Sequence, residues 1–253
     1  MMIRCLVAAF LCLSFMPRGG YAAGCDEAGA RKIAELAIGR MRELFGEPAP
    51  APEIALYPTE ESLREALGLP KGTPISGRYE SKSGKVHVAC VGEEEGLFER
   101  SLRHETAHYY IDRVFGQIPP ALDEGVAAYM EEGSFEEGIA GEHINQARLR
   151  EFRVLLQRGR APGLKELLST AGGSPFSSAD YASSWAFVFV MLHNSDPLLQ
   201  AGRREILRSL LFLKGRKEDY YRLFRERILA SEGLPEKWES AWRREIWSLK
   251  NSL

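Results

Sequence analysis

The chain has 253 residues, 45% of them hydrophobic and 27% charged, which is the range of one globular domain or of two small lobes sharing a core. That composition excludes intrinsic disorder, and a formal net charge of −2 from 33 basic and 35 acidic residues gives no electrostatic reason to expect a nucleic-acid partner.

Taken in chain order, Met1 to Arg4 carry one positive charge, Cys5 to Met16 form an apolar run, and Pro17, Arg18, Gly19 and Gly20 break it. This is the pattern of a secretory signal peptide over residues 1–23, with Ala22, Ala23 and Gly24 as small residues at the cleavage point. The run is shorter than the roughly 20 apolar residues a bilayer core requires, and no longer apolar stretch follows, so a soluble exported protein, periplasmic or secreted, is expected. Loss of Arg4 and Arg18 with the signal takes the net charge to about −4. Ala22-Ala23-Gly24-Cys25 also loosely resembles a lipobox, which makes lipid anchoring at Cys25 the alternative. Only Cys25 and Cys90 remain beyond the signal. Two thiols in an oxidising compartment are expected to pair, the other outcomes being two unpaired buried thiols or a lipidated Cys25, which would exclude the bridge.

From Ala28 to Phe45 the residues Ile33, Leu36, Ala37, Met41 and Leu44 recur at helical spacing, and Gly46 ends the run. Glu53 to Tyr57 predicts a short strand. Thr59 then caps a helix with Glu60 and Glu61 in its first turn and a stop at Gly68. A hairpin follows, from Ile75 to Glu80, through a turn at Ser81 to Gly84, to Lys85 to Val91, with Val86, Val88 and Cys90 on one face and His87 on the other. After Gly92 the pattern is helical, with breaks at Gly116 to Pro120, Gly133 to Gly141, Gly159 to Gly163 and Gly172 to Pro175. Segments with Ile206, Leu210, Leu211 and Leu213, then Tyr220, Leu223, Phe224 and Ile228, then Trp238, Trp242, Ile246 and Trp247 predict amphipathic helices covering the core. The fold class expected is α+β, a small N-terminal mixed sheet with helices followed by a mainly helical half.

The segment Arg103-His104-Glu105-Thr106-Ala107-His108-Tyr109 contains His-Glu-x-x-His. At 3.6 residues per turn, positions four apart lie about 40° from one another, so both imidazoles leave one helix face and are able to share an ion, while Glu105 lies about 100° away, within reach of a water on that ion. A catalytic zinc site takes three protein ligands and keeps one position open. Glu124 is the third candidate, on a helix folding back after Pro119-Pro120, where the missing side chain of Gly125 would let the two helix backbones approach. Asp123 competes for that role, although as a residue type it suits a helix cap.

The pairing of His-Glu-x-x-His with Glu124-Gly125-Val126-Ala127 resembles the gluzincin metallopeptidases. The longer form, Pro120-x-Leu122-x-Glu124-Gly125-x-Ala127-x-Tyr129, is similar to the peptidase-MA-like families, and Tyr181-Ala182-Ser183-Ser184-Trp185 extends the likeness to a later core helix. The resemblance covers about Ile75 to Leu192. It implies a zincin-like fold over residues 24–253, with a sheet-containing lobe at 24–116 and a helical lobe at 117–253. It also implies zinc on His104, His108 and Glu124, Glu105 as general base, and hydrolysis of a peptide or protein substrate. The developing oxyanion would want a second donor, Tyr181 first by resemblance and Tyr129 second. The chain departs from the gluzincin aminopeptidases in having 15 residues between His108 and Glu124 and no Gly-x-Met-Glu-Asn motif.

Further expectations concern the surroundings. Glu93, Glu94 and Glu95 suit either a helix start or a substrate amine. The strand Lys85 to Val91 is expected to offer a free edge to an extended peptide, with His87 and Arg78 lining the groove or solvated. His143 is expected at the surface, and His193 at a helix C-terminus. Two other functions remain open at this stage: a non-catalytic envelope protein or binding module on the same fold, and a zinc hydrolase of another amide such as a cell-wall crosslink.

Overall fold

The computed structural model describes residues 25–90, 96–116, 118–132, 144–169, 176–193 and 234–248, with Pro197, Gln200, Arg203 and Ile206 placed singly. Helix α1, Glu27–Phe45, starts at Asp26, whose side chain accepts from the Gly29 N–H, and stops at Gly46 in the left-handed region. Strand β1 is Glu53–Tyr57. Helix α2, Glu60–Ala66, carries a reciprocal capping box between Thr59 and Ser62. The hairpin strands are β2, Gly77–Glu80, and β3, Lys85–Ala89, shorter than their hydrophobic pattern suggests at both outer ends; Val91 lies outside the described residues.

The sheet order is β1-β3-β2, with β1 parallel and β2 antiparallel to β3. This overturns one expectation. β3 is the central strand, paired on both sides, so it has no free edge, and the two edges of the sheet are β1 and β2. His87 is not solvated either: it is buried, its Nδ1 is 2.9 Å from the Tyr57 hydroxyl, and its ring stacks on that of Tyr57. Arg78, across from it on β2, is exposed.

His87 therefore makes stability depend on pH. Burial pushes its imidazole below the ordinary value. Lys85 and Arg78 push it further, and Glu80 and Glu53 pull it back without reversing the shift. A lowered folded pKa means that the unfolded chain binds the proton first, so stability is full above about pH 6.5 and declines as pH falls below it. The melting temperature should drop between pH 7 and pH 5, and the drop should be smaller in His87→Gln.

Cys25 and Cys90 form a disulfide with Cα atoms 5.5 Å apart, closing a separation of 65 residues, worth about 4 kcal/mol in the chain-entropy description. The Cys25 sulfur is thereby committed to Cys90. No described helix is long and apolar enough to cross a membrane.

Helices α3, Leu97–Val114, and α4, Pro120–Met130, follow, then α5, Gln146–Gln157, α6, Leu164–Ser169, α7, Ser178–His193, and α8, Leu234–Ser248. One apolar core joins α1, the inner sheet face at Val86 and Val88, α3, α4 and α7, with Trp185 and Trp242 fully buried. The described residues thus form an α+β fold with a small mixed sheet and a predominance of helix. On α8, Trp238, Trp242 and Ile246 recur every four residues and are buried, whereas Trp247 is 55% exposed. Its position about 100° round the helix from Ile246 takes it off the packing face, contrary to the expectation that it covers the core with the other three. The segment with Leu210 to Ile228 lies outside the described residues.

Gly125 does permit a close approach, but to a different partner from the one expected. A Cβ there would stand 2.6 Å from the Ser184 carbonyl oxygen and 2.7 Å from Val188 Cγ2, both on α7. Glu124 and Gly125 are about 100° apart on α4, so one faces α3 and the other faces α7. Because the nearer obstacle is backbone, Gly125→Ala should force α4 and α7 apart and cost about 1–3 kcal/mol, read as a lower melting temperature.

Candidate metal centre

The site is assembled by two helices running antiparallel. His104, early in α3, meets Glu131 just past the end of α4, while His108, one turn later, meets Asp123 near the start of α4. The reversal is made between Val114 and Pro120, where Gly116 adopts φ 78° and Pro120 occupies the first turn of α4, where its missing N–H costs no helical bond.

His104 and His108 bring their Nε2 atoms within 3.1 Å of each other. The Glu124 Oε2 lies 3.5 Å from the first and 3.6 Å from the second. That oxygen is buried and takes no hydrogen bond. Ligands at about 2.0–2.1 Å on a tetrahedral ion stand about 3.3 Å apart, so the donor triangle fits one cation. An otherwise unsatisfied buried carboxylate oxygen gains its missing partner from that cation. The three residues form a group able to hold a metal ion.

The other ring nitrogens are held by carboxylates. His104 Nδ1 is 2.8 Å from Glu131 Oε1, and His108 Nδ1 is 2.8 Å from Asp123 Oδ1, leaving both Nε2 atoms as the metal-facing donors. Asp123 is thus neither a ligand nor the helix cap, for Pro119 occupies the cap position without a side-chain bond. Burial disfavours the charged form of each group, yet the neighbours outweigh it. His104 is pushed up to about 9 by Glu124 and Glu131, and His108 well above its ordinary value by Asp123 and Glu124. The two imidazoles hold Glu124 well below the usual carboxylate range despite its own burial. Three carboxylates around two imidazoles favour positive charge at the centre.

No protein-family model matches this chain, and no curated protein matches it either.

Glu105 stands beside the triangle without joining it. Its Oε2 accepts from the Tyr79 N–H at 2.6 Å, and a Cβ at Gly77 would stand 2.9 Å from Glu105 Cγ, so glycine on β2 makes room for this carboxylate. Ala89 N–H donates to the Ser76 carbonyl, which in an antiparallel ladder turns the N–H groups of residues 77 and 79 away from β3. The Tyr79 hydroxyl donates to Asp112 Oδ2 at 2.5 Å, fastening the same residue to α3 a second time.

A cleft of about 450 Å³ opens over the site, lined among others by His104, Glu105, Glu131, Asn145, Arg148 and Tyr181. Tyr181, near the start of α7, belongs to this cleft. Burial pushes its hydroxyl pKa up, and the charges of Glu124 and Glu105 push it further, against His108 and Arg148. Tyr129 does not belong: it is buried in the core, with its hydroxyl 2.9 Å from His193 Nε2. His193 does end α7, and its ring stacks on Phe189. Glu93, Glu94, Glu95 and His143 lie outside the described residues.

Glu131, Asn145 and Tyr79 were not singled out by the motifs. Glu131 follows Glu124 by seven residues, two helical turns on nearly the same face, and this spacing is a signal a search along the helix would find. Asn145 and Tyr79 reach the site from outside the two helices, and no local spacing marks them.

Proposed function

We propose that the chain is an exported zinc-dependent peptidase of the gluzincin type, on a zincin-like fold, that hydrolyses peptide bonds by activating a water. The observation that carries this reading is the buried, hydrogen-bond-free Glu124 Oε2 facing two imidazole Nε2 atoms, with Glu105 beside them at an open cleft. A purely structural zinc site has no use for such a carboxylate and no need of a cleft. The apolar run at Cys5 to Met16 and the Cys25–Cys90 disulfide support export.

Zinc on His104, His108 and Glu124 would supply Lewis-acid activation, bringing the pKa of a water toward about 7. Glu105 would accept a proton from the attacking water and return it to the leaving amine. Its bond from the Tyr79 N–H holds the carboxylate at the cleft. Tyr181, which lines the cleft, would donate its hydroxyl to the developing oxyanion. The outward groups of Gly77 on the β2 edge take an extended peptide by main-chain hydrogen bonds, which require no particular side chain.

The test is incubation of the purified protein with a mixed peptide library, followed by mass spectrometry. Cleavage should stop on chelation and return when zinc is restored. Stoichiometric metal with an uncleaved library would favour a binding module or the hydrolysis of a different amide.

A further inference from the structure

We propose that Asn145 is a positioning residue of the metal centre, acting on His104 through Glu131; the inference rests on the metal reading above but not on peptidase activity. Asn145 precedes α5, and its Oδ1 accepts from the Arg148 N–H at 3.0 Å as the N-cap of that helix. Its Nδ2 donates to Glu131 Oε2 at 3.3 Å. The opposite oxygen of Glu131 is 2.8 Å from His104 Nδ1, and the Glu131 carbonyl accepts from Arg103 Nη2 at 2.8 Å. Glu131 is therefore held at three points, and Asn145 supplies the one that comes from outside the α3–α4 pair.

Capping alone does not call for asparagine. A cap needs one acceptor, and serine, threonine or aspartate provides it about as well. Only asparagine among these offers the helix an acceptor and, from a separate atom, a donor that reaches the other side. The cap fixes which side-chain atom is the oxygen, so the amide nitrogen faces Glu131. The residue is 4% exposed, leaving water little part in satisfying that amide. Without it, one Glu131 oxygen loses its donor and the carboxylate is free to swing, and with it the ring whose Nε2 faces Glu124. Partners of this kind orient a ligand and are worth about 10- to 100-fold in metal affinity.

The experiment measures zinc affinity by competition with a chromophoric chelator, alongside the melting temperature of the metal-free protein. Asn145→Ser and Asn145→Thr keep the cap and replace the amide N–H by a hydroxyl one atom shorter, whose oxygen is drawn to the Arg148 N–H and away from Glu131. Both should melt close to the unsubstituted protein yet bind zinc about tenfold more weakly. Glu131→Ala should weaken zinc at least as much, and adding Asn145→Ser to it should change the affinity no further, since the route runs through Glu131. Unaltered affinity in both cap-preserving variants overturns the proposal, as does an undiminished loss in the Glu131→Ala background. If the unsubstituted chain takes up no zinc, the metal reading itself fails and this inference with it.

Discussion

A Glu124→Ala protein should retain about a tenth of an equivalent of zinc or less, where the unsubstituted chain carries about one. Two imidazoles on one helix make an incomplete set, and the third donor comes entirely from the carboxylate at 3.5 and 3.6 Å from them. Asp123 does not take its place, because its Oδ1 is engaged with His108 Nδ1 on the far side of the ring. Glu124→Gln keeps the volume and removes the charge, so it separates the loss of a ligand from the loss of packing. Metal analysis after gel filtration reads the result, with circular dichroism to show that each variant is folded. Full zinc occupancy in both variants would remove Glu124 from the site and with it the gluzincin reading.

Glu105→Gln should behave in the opposite way, keeping its zinc and losing hydrolysis by about 10²- to 10⁴-fold. The side chain lies outside the donor triangle, and its hydrogen bond goes to the Tyr79 N–H, which a glutamine carbonyl oxygen also accepts. Fold and metal are thus spared while the proton acceptor is gone. Tyr181→Phe makes the comparison, with a loss of about 10²- to 10³-fold expected if it is the oxyanion donor. The measurement is kcat and KM on whichever peptide the library identifies, with zinc content determined on the same preparations. A Glu105→Gln protein that cleaves as fast as its parent would mean that another group takes the proton.

Much of this site is legible along one dimension. His104, Glu105 and His108 are neighbours on a helix, and an angle of about 100° per residue already sorts two ligands from one base. The hairpin, the Thr59 cap and the helix ending at Gly46 follow from equally local rules and appear where those rules place them. A rule about one residue does not choose between its possible partners. The missing side chain of Gly125 signals a close approach, expected toward α3, but packing brings it against the backbone of α7 instead. Tyr129 stands five residues after Glu124 and Tyr181 far beyond it, yet the nearer tyrosine is bonded to His193 in the core and the farther one lines the cleft.

By itself the amino-acid order determined the helix that carries both imidazoles, the neighbouring carboxylate and the α+β class. These depend on periodicity, capping and residue chemistry, which act over a few positions. The same order leaves Cys25 open to pairing, lipidation or a free thiol, and the disulfide in the fold decides for pairing. Tertiary structure alone decided that β3 lies between β1 and β2, that Asp123 and Glu131 orient the imidazoles, and that Asn145 reaches Glu131 from the start of α5. Such relations depend on which faces meet when the apolar stripes of α3, α4 and α7 are buried together, and no spacing within one element encodes a distance between two.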